Sequence, residues 1–354
     1  MHVLMMTQRV DPEHDVLGFT VDWITALAEH VERLTVLTAY EGSHDLPENV
    51  SVRSYGKERG FAKPRRVMEF QRHCLALRRE GIDSVFAHMI PQYVLASWPV
   101  LGRSCRYVMW YAHGTIGWDT RIAHRLIDVV VTATPQSFRL PSEKVFTVGH
   151  GIDMERFTPG TVDSVRGRLL NVGRIAPVKN THRLVEAVGI LRDRGRPVEL
   201  RLVGGLSRAD RAYLTEVRTT IDDLGLGDRI ELVESVPHDQ IVDEYRRSGL
   251  FISASQTGSL DKVEVESMAC GTPPICCNDA FLELVTESSL ESDQLTFPPG
   301  DVATLADRVE GVLDLAEREY HGIATNCREV VATNHSVDAL METVAGHLRG
   351  SVCV

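Results

Sequence analysis

Several things are scarce in this chain of 354 residues, and each scarcity excludes a class of protein. Aromatic residues make up only 6%. No apolar run approaches the ~18 residues of a membrane-spanning helix. Positive charge is short, with 38 Lys and Arg against 49 Asp and Glu and a formal net charge of -11. A polyanion such as nucleic acid is therefore a poor default partner. No Gly-x-Gly-x-x-Gly follows an apolar strand, so a dinucleotide-binding oxidoreductase would lack its phosphate turn. The seven cysteines are Cys74, Cys105, Cys270, Cys276, Cys277, Cys327 and Cys353. No pair has Cys-x-x-Cys spacing, and the number is odd. They read as small buried hydrophobes in a reducing compartment, with neither a zinc site nor a disulfide framework. The opening stretch, Met1 to Thr7, has no basic region or cleavage site before its apolar residues. It reads as a core strand, and a cytoplasmic location is the expectation.

What is present is an ordinary globular balance, 43% hydrophobic and 25% charged, over a length that suits two domains. Apolar runs expected as strands lie at His2–Met6, Leu34–Thr38, Val50–Ser54, Ser84–Ala87, Arg106–Tyr111, Val129–Thr132 and Lys144–Val148. Helical patterns near Phe19–His30, Arg65–Glu80, Tyr93–Leu101 and Arg121–Leu126 separate them. The rhythm restarts at Leu169–Val172, then Glu199–Val203, Ile230–Val233, Leu250–Ser253 and Pro274–Cys277. After the first of these, Leu184, Val188 and Leu191 share one helical face. Strand and helix in alternation specify a parallel sheet covered on both faces. The joint falls around Met154–Val165, where Phe157-Thr158-Pro159-Gly160 offers turn residues. The last helical stretches are near Asp301–Glu319 and Val337–Leu348. The reading is α/β with two doubly wound, Rossmann-like domains, 1–155 and 166–335, whose parallel sheets face a central cleft. A C-terminal helix in 336–354 is expected to pack back on the first domain.

In such sheets ligands sit beyond the carboxyl ends of strands. One loop there reads Val172-Gly173-Arg174-Ile175-Ala176-Pro177-Val178-Lys179-Asn180. Gly173 lets backbone approach closely, and Arg174 and Lys179 bring two cations to a strand-to-helix turn, a setting that suits phosphate. A second loop, Ser255-Gln256-Thr257-Gly258-Ser259-Leu260-Asp261-Lys262, leads into a helix near Asp261. The first-turn N–H groups of that helix suit a diphosphate. Glu266 lies one turn in, among apolar inner positions, where it faces solvent or accepts from ligand hydroxyls. Glu264, two positions away, points elsewhere and is expected to be solvated. No Ser-His-Asp set, metal cluster or paired carboxylates is evident.

The combination of Gly173-Arg174…Lys179 with Glu266-Ser267-Met268-Ala269-Cys270-Gly271-Thr272-Pro273 resembles the donor domain of family-4, GT-B-fold glycosyltransferases. The stretch from Gly149-His150-Gly151-Ile152-Asp153 to Pro159 resembles that family's interdomain segment. The resemblance implies a nucleotide-diphosphate sugar as donor, transfer to a hydroxyl acceptor with retention of configuration, and no metal. Arg174 and Lys179 would hold the diphosphate, with Gly173, Gly258, Ser259, Leu260, Asp261 and Lys262 around the donor. Glu266 would bind the ribose hydroxyls. His113, after the strand in Trp110-Tyr111-Ala112-His113-Gly114, matches a histidine that contacts the donor sugar, and His88 is a weaker match. Gly18 matches a glycine whose backbone approaches phosphate or acceptor. Two departures stand out. The family has a second glutamate eight residues before Glu266, where this chain has Gly258, and Asp261 and Lys262 replace small or apolar residues. A GT-B phosphorylase or epimerase, or a nucleotide-sugar binding protein without catalysis, remain alternatives.

The acceptor is expected to be a sugar or a lipid-linked molecule. The segment 57–80 carries Lys57, Arg59, Lys63, Arg65, Arg66, Arg72, Arg78 and Arg79 against Glu58, Glu69 and Glu80. Val67, Phe70, Cys74 and Leu77 share one face of it, and Arg65, Arg72 and Arg79 the other. That basic back is either a solvated surface or a peripheral contact with an anionic membrane.

Overall fold

The alternating pattern folds as two parallel sheets. A computed structural model describes residues 1–160, 165–205, 210–234, 236–238, 240–288 and 290–351. Cys353 lies outside the described residues. The chain divides into two compact units, Met1–Asp153 with His335–Val354, and Met154–Asn334.

The first unit runs β1 (His2–Val10), α1 (Thr20–Glu29), β2 (Arg33–Glu41), β3 (Val50–Ser54), α2 (Lys63–Glu80), β4 (Ser84–His88), α3 (Pro91–Leu101), β5 (Arg106–Trp110), α4 (Trp118–Leu126), β6 (Val129–Thr132) and β7 (Val145–Thr147). Its strand order is β3-β2-β1-β4-β5-β6-β7. β1 outruns its apolar stretch because Arg9 and Val10 still pair with β2, and the Arg9 guanidinium lies 3.7 Å from the Tyr40 ring centroid. In α2 the residues Phe70, Cys74 and Leu77 are buried, but Val67 is 54% exposed. Periodicity set the direction of that stripe and not how far the core covers it.

The second unit runs β8 (Val165–Val172), α5 (Thr181–Asp193), β9 (Glu199–Val203), α6 (Arg211–Asp223), β10 (Ile230–Val233), α7 (Ile241–Arg247), β11 (Ser248–Ser253), α8 (Lys262–Ala269), β12 (Pro274–Cys276), α9 (Asp279–Thr286), α10 (Ser292–Leu295), α11 (Val302–Leu313) and α12 (Glu317–Asn334). Its order is β10-β9-β8-β11-β12. Leu184, Val188 and Leu191 of α5 are fully buried against Leu200, Leu202, Leu250 and Ile252. The expected single helix over Asp301–Glu319 is in fact two. It breaks at Asp314–Ala316, and α12 then runs on to Asn334. The sequence of α12 hides it, because Gly322 and polar residues interrupt its apolar stripe. A last helix, α13 (Val337–Arg349), belongs to the first unit, where Leu340, Met341, Val344 and Leu348 join the core with Ile24, Leu27 and Val108.

The pairing of β11 with β8 slips between Ser248 and Leu250. Gly249 sits at the slip, and a Cβ there would lie 2.4 Å from the Arg166 Cα and 2.5 Å from its carbonyl oxygen. Both obstacles are backbone, so neither can swing aside. Gly249→Ala should destabilise the second unit by about 2–3 kcal/mol, the usual cost of forced overpacking. Guanidinium unfolding measures this, and a wild-type midpoint would show that the bulge absorbs the methyl.

Candidate functional site

In the second unit the strand order reverses between β8 and β11, the switch point at which ligand crevices open in such sheets. The loop after β8 carries Arg174 and Lys179, and the loop after β11 runs into α8. Backbone and side-chain bonds hold the two loops together. Gln256 N–H donates to the Val178 carbonyl at 3.0 Å. The Asn180 amide donates to the Ala254 carbonyl at 3.1 Å, and Asn180 takes a left-handed φ of 48° to do so. Lower down, Asn171 donates to the Ile252 carbonyl at 2.8 Å.

Gly173 has a φ of 143°, a conformation that favours glycine. Its carbonyl oxygen stands 1.8 Å from where a Gly204 Cβ would be. The two glycines, at the ends of β8 and β9, therefore permit one another. Gly204-Gly205 directly after an apolar strand was a readable sign of such an approach, and it was missed above.

The cations in these loops differ in their surroundings. Arg174 is exposed and its side chain makes no hydrogen bond or ion pair among the described residues. Lys179 is drawn inward, its Nζ 2.7 Å from Asp261 Oδ2 and 3.3 Å from Ser255 Oγ. Thr257 Oγ1 donates to Asp261 Oδ1 at 3.3 Å and also reaches the Ser259 carbonyl at 3.2 Å. Asp261 is the N-cap of α8. Gly258 has a φ of 70°, and Leu260 is buried beneath the loop. Lys179, Gly258, Ser259, Leu260, Asp261 and Lys262 thus come together around one helix start.

The expectation for Glu264 is overturned. It is fully buried, because α8 is buried all along Glu264–Ala269 and has no solvated side to offer. α12, the helix not foreseen, packs on it. Glu264 Oε2 accepts from the Asp261 N–H at 3.2 Å, completing a capping box. Both its oxygens accept from the Asn278 amide, at 2.7 and 2.8 Å. The Asn278 Oδ1 in turn accepts from the Phe281 N–H at 2.7 Å and caps α9. One asparagine therefore ties two helix starts together. Burial first, then the neighbouring Asp261 carboxylate, pushes Glu264 up to about 8, against the opposing pull of Asn278 and Lys179.

Glu266 is 5% exposed, and its Oε2 accepts from the Tyr245 hydroxyl at 3.0 Å. Burial, then Glu266, raises Tyr245 well above its ordinary value, so the phenol keeps its proton and remains a donor. Glu266 Oε1 lies 4.0 Å from Lys262 Nζ. Tyr245 and Asn278 are partners that sequence spacing gave no reason to single out.

His113 and Gly18 belong to the first unit. His113 is exposed just past β5, and its Nδ1 accepts from the Thr115 N–H at 3.0 Å. A neutral ring then carries its proton on Nε2. Gly18 lies in the turn before α1, with its N–H bonded to the His14 carbonyl at 2.9 Å. That donor is therefore occupied within the turn. His88 is 2% exposed, bonded through Nδ1 to Thr7 Oγ1 at 3.0 Å and packed among Phe19, Trp23 and Trp110. It is a core residue.

The raised Glu264 has a consequence for stability. Between the ordinary carboxylate value of 4.5 and about 8, the folded state holds a proton that the unfolded chain has lost. Stability from this residue is therefore fully present at low pH and lost as pH rises through that window. Glu264→Gln should abolish this loss, shifting the stability difference in favour of the variant by up to about 1.4 kcal/mol per pH unit. Guanidinium unfolding at pH 5, 6.5 and 8 reads the slope, and parallel curves would contradict it.

Comparison with known proteins shows what these loops are similar to. Residues 161–329 match the family described as glycosyl transferases group 1. The chain is 29% identical over 188 residues to D-inositol 3-phosphate glycosyltransferase 1 of Catenulispora acidiphila, covering 49% of this chain and 44% of that protein. It is 27% identical over 180 residues to mannosylfructose-phosphate synthase of Agrobacterium fabrum, covering 44% and 40%. The match thus spans less than half the length of either relative. In fold, HepE of Anabaena in complex with UDP superposes with a TM-score of 0.75 at 18% identity, over 99% of this chain and 100% of that one. Sucrose-phosphate synthase of Thermosynechococcus elongatus gives 0.77 at 17% identity, over 99% and 98%. Residues 161–329 are thus similar to glycosyl transferases group 1, and the chain has the two-sheet α/β fold of HepE and of sucrose-phosphate synthase.

Proposed function

We propose that this chain is a glycosyltransferase that moves a sugar from a nucleotide-diphosphate sugar to a hydroxyl acceptor, with retention of configuration and without a metal. The observation that carries this reading is the meeting of the β8 and β11 loops at the switch point. There Lys179 and the start of α8 share one small region, and Arg174 lies exposed on the first of the loops. A diphosphate would take the α8 N-terminal N–H groups and the two cations, which stabilise the charge that develops as the nucleotide leaves. Glu266, positioned by Tyr245, would bind the ribose hydroxyls.

Lys179→Ala should weaken nucleoside-diphosphate binding by about 1.5–3 kcal/mol, and should lower the ligand-free melting temperature because Asp261 loses its cation. Glu266→Gln should weaken a nucleoside diphosphate but much less pyrophosphate. Isothermal titration of UDP, GDP, ADP and inorganic pyrophosphate compares these. Unaltered diphosphate affinity in the lysine variant, or equal loss of both ligands in the glutamate variant, overturns the corresponding role.

The basic helix bears on the acceptor. Met68 and Leu75 are 61% and 49% exposed, seven residues apart, and share their face of α2 with Arg65, Arg72 and Arg79. Apolar side chains set among arginines favour a peripheral contact with anionic lipid over a purely solvated back. The similar proteins named for phosphorylated compounds support an anionic acceptor as well. Each basic residue near an anionic membrane contributes roughly 1 kcal/mol. The chain should co-sediment with anionic but not neutral vesicles at low salt, and an Arg65/Arg72/Arg79→Gln variant should lose most of that binding. Equal, negligible binding to both vesicles removes the membrane reading.

A further inference from the structure

The α8 start already holds an anion. Asp261 caps the helix, lies 2.7 Å from Lys179 Nζ with both side chains mostly buried, and accepts from Thr257 through its other oxygen. A carboxylate at a helix N-terminus beside a lysine has the charge and the partners a phosphate would have there. Two residue differences accompany it. Asp261 stands where small or apolar residues are common in the resembled family, and Gly258 stands where that family usually has a glutamate.

We propose that Asp261 is an internal counter-anion that the donor's diphosphate must displace from Lys179, and that it sets, by competition, the affinity of the phosphate subsite. The proposal rests on the reading of these loops as a diphosphate site. In the ligand-free chain Asp261 keeps a largely buried lysine paired. When a diphosphate enters, Lys179 exchanges one anion for another, and breaking the existing pair offsets part of what the new one contributes. Donor and nucleoside-diphosphate product are both held more weakly than Lys179 and the helix start alone would hold them. Product then leaves more readily, which matters where release limits turnover.

The neighbouring charged groups shape the test. Arg174 and Lys262 are cations on the same loops. Glu264, whose carboxyl touches the Asp261 N–H, is pushed up to about 8. Burial, the larger cause of that rise, persists when the Asp261 charge is removed, so titration at pH 6 favours a protonated Glu264 over titration at alkaline pH. Asp261→Asn keeps a capping side chain of the same size and removes only the charge. Asp261→Ser is a second capping variant.

Isothermal titration at pH 6 with inorganic pyrophosphate and with UDP, GDP and ADP compares wild type, D261N, D261S, K179A and K179A/D261N. D261N should bind pyrophosphate about tenfold tighter, the effect of one removed charge–charge interaction of ordinary strength. The double variant should gain nothing over K179A. Ligand-free D261N should melt lower than wild type yet gain a larger shift with pyrophosphate, opposite signs that lost packing would not give. Wild-type or weaker pyrophosphate affinity in both D261N and D261S overturns the proposal, as does a gain that survives in the K179A background. Weaker binding of UDP-glucose with unchanged pyrophosphate affinity would instead give Asp261 the sugar hydroxyls. Unchanged pyrophosphate affinity in K179A would remove the phosphate site itself, and the proposal with it.

Discussion

The candidate site depends on one pairing, β8 against β11, which sets side by side two strands distant in sequence. Their register slips at Gly249, and above the slip the strands end together. Asn171, Asn180 and Gln256 then hold the two loops by hydrogen bonds to backbone carbonyls. Because those contacts are to backbone, the loops keep their spacing whichever way Arg174 turns. The helix start and the lysine meet because the sheet reverses its order here, and the same reversal leaves room for a ligand.

The charge arrangement inside the second unit follows from how little of α8 reaches solvent. A helix of 8 residues covered by α12 has to satisfy two glutamates internally. Glu264 does so with Asn278 and a backbone N–H, and with a proton at neutral pH. Glu266 does so with a phenol that burial keeps protonated. The two carboxyls are thus chemically unlike although they stand two residues apart. One fixes helix starts, and the other presents an oxygen to a neighbouring lysine.

Much of the fold was legible because parallel strands buried on both faces are short apolar runs. Val50–Ser54, Val129–Thr132, Glu199–Val203 and Ile230–Val233 have the bounds their sequences imply. Strand ends with polar residues were not legible, since Arg9, Val165 and Arg168 are paired in strands without being buried. α12 escaped notice through its broken periodicity, and its absence from the reading produced the error at Glu264. A glutamate two positions from another on a helix points away from it, but away means solvent only if nothing covers that side. The Arg174, Lys179 and Glu266 positions were legible as motifs. The pairing of Lys179 with Asp261 was not, because it joins two loops about eighty residues apart in sequence.

The two units also differ in how the chain is threaded through them. The second is a single continuous stretch, whereas the first takes its opening strands from one end of the sequence and α13 from the other. Leu340, Met341, Val344 and Leu348 lie in the same core as Val3, Ile24 and Leu27. During synthesis the early strands emerge long before the helix that covers one of their faces. The second unit, complete by Asn334, has all its own residues before that helix has left the ribosome. The first unit keeps an uncovered apolar face until α13 has been made, so its exposure to chaperones and to aggregation depends on translation time as well as on its own folding rate.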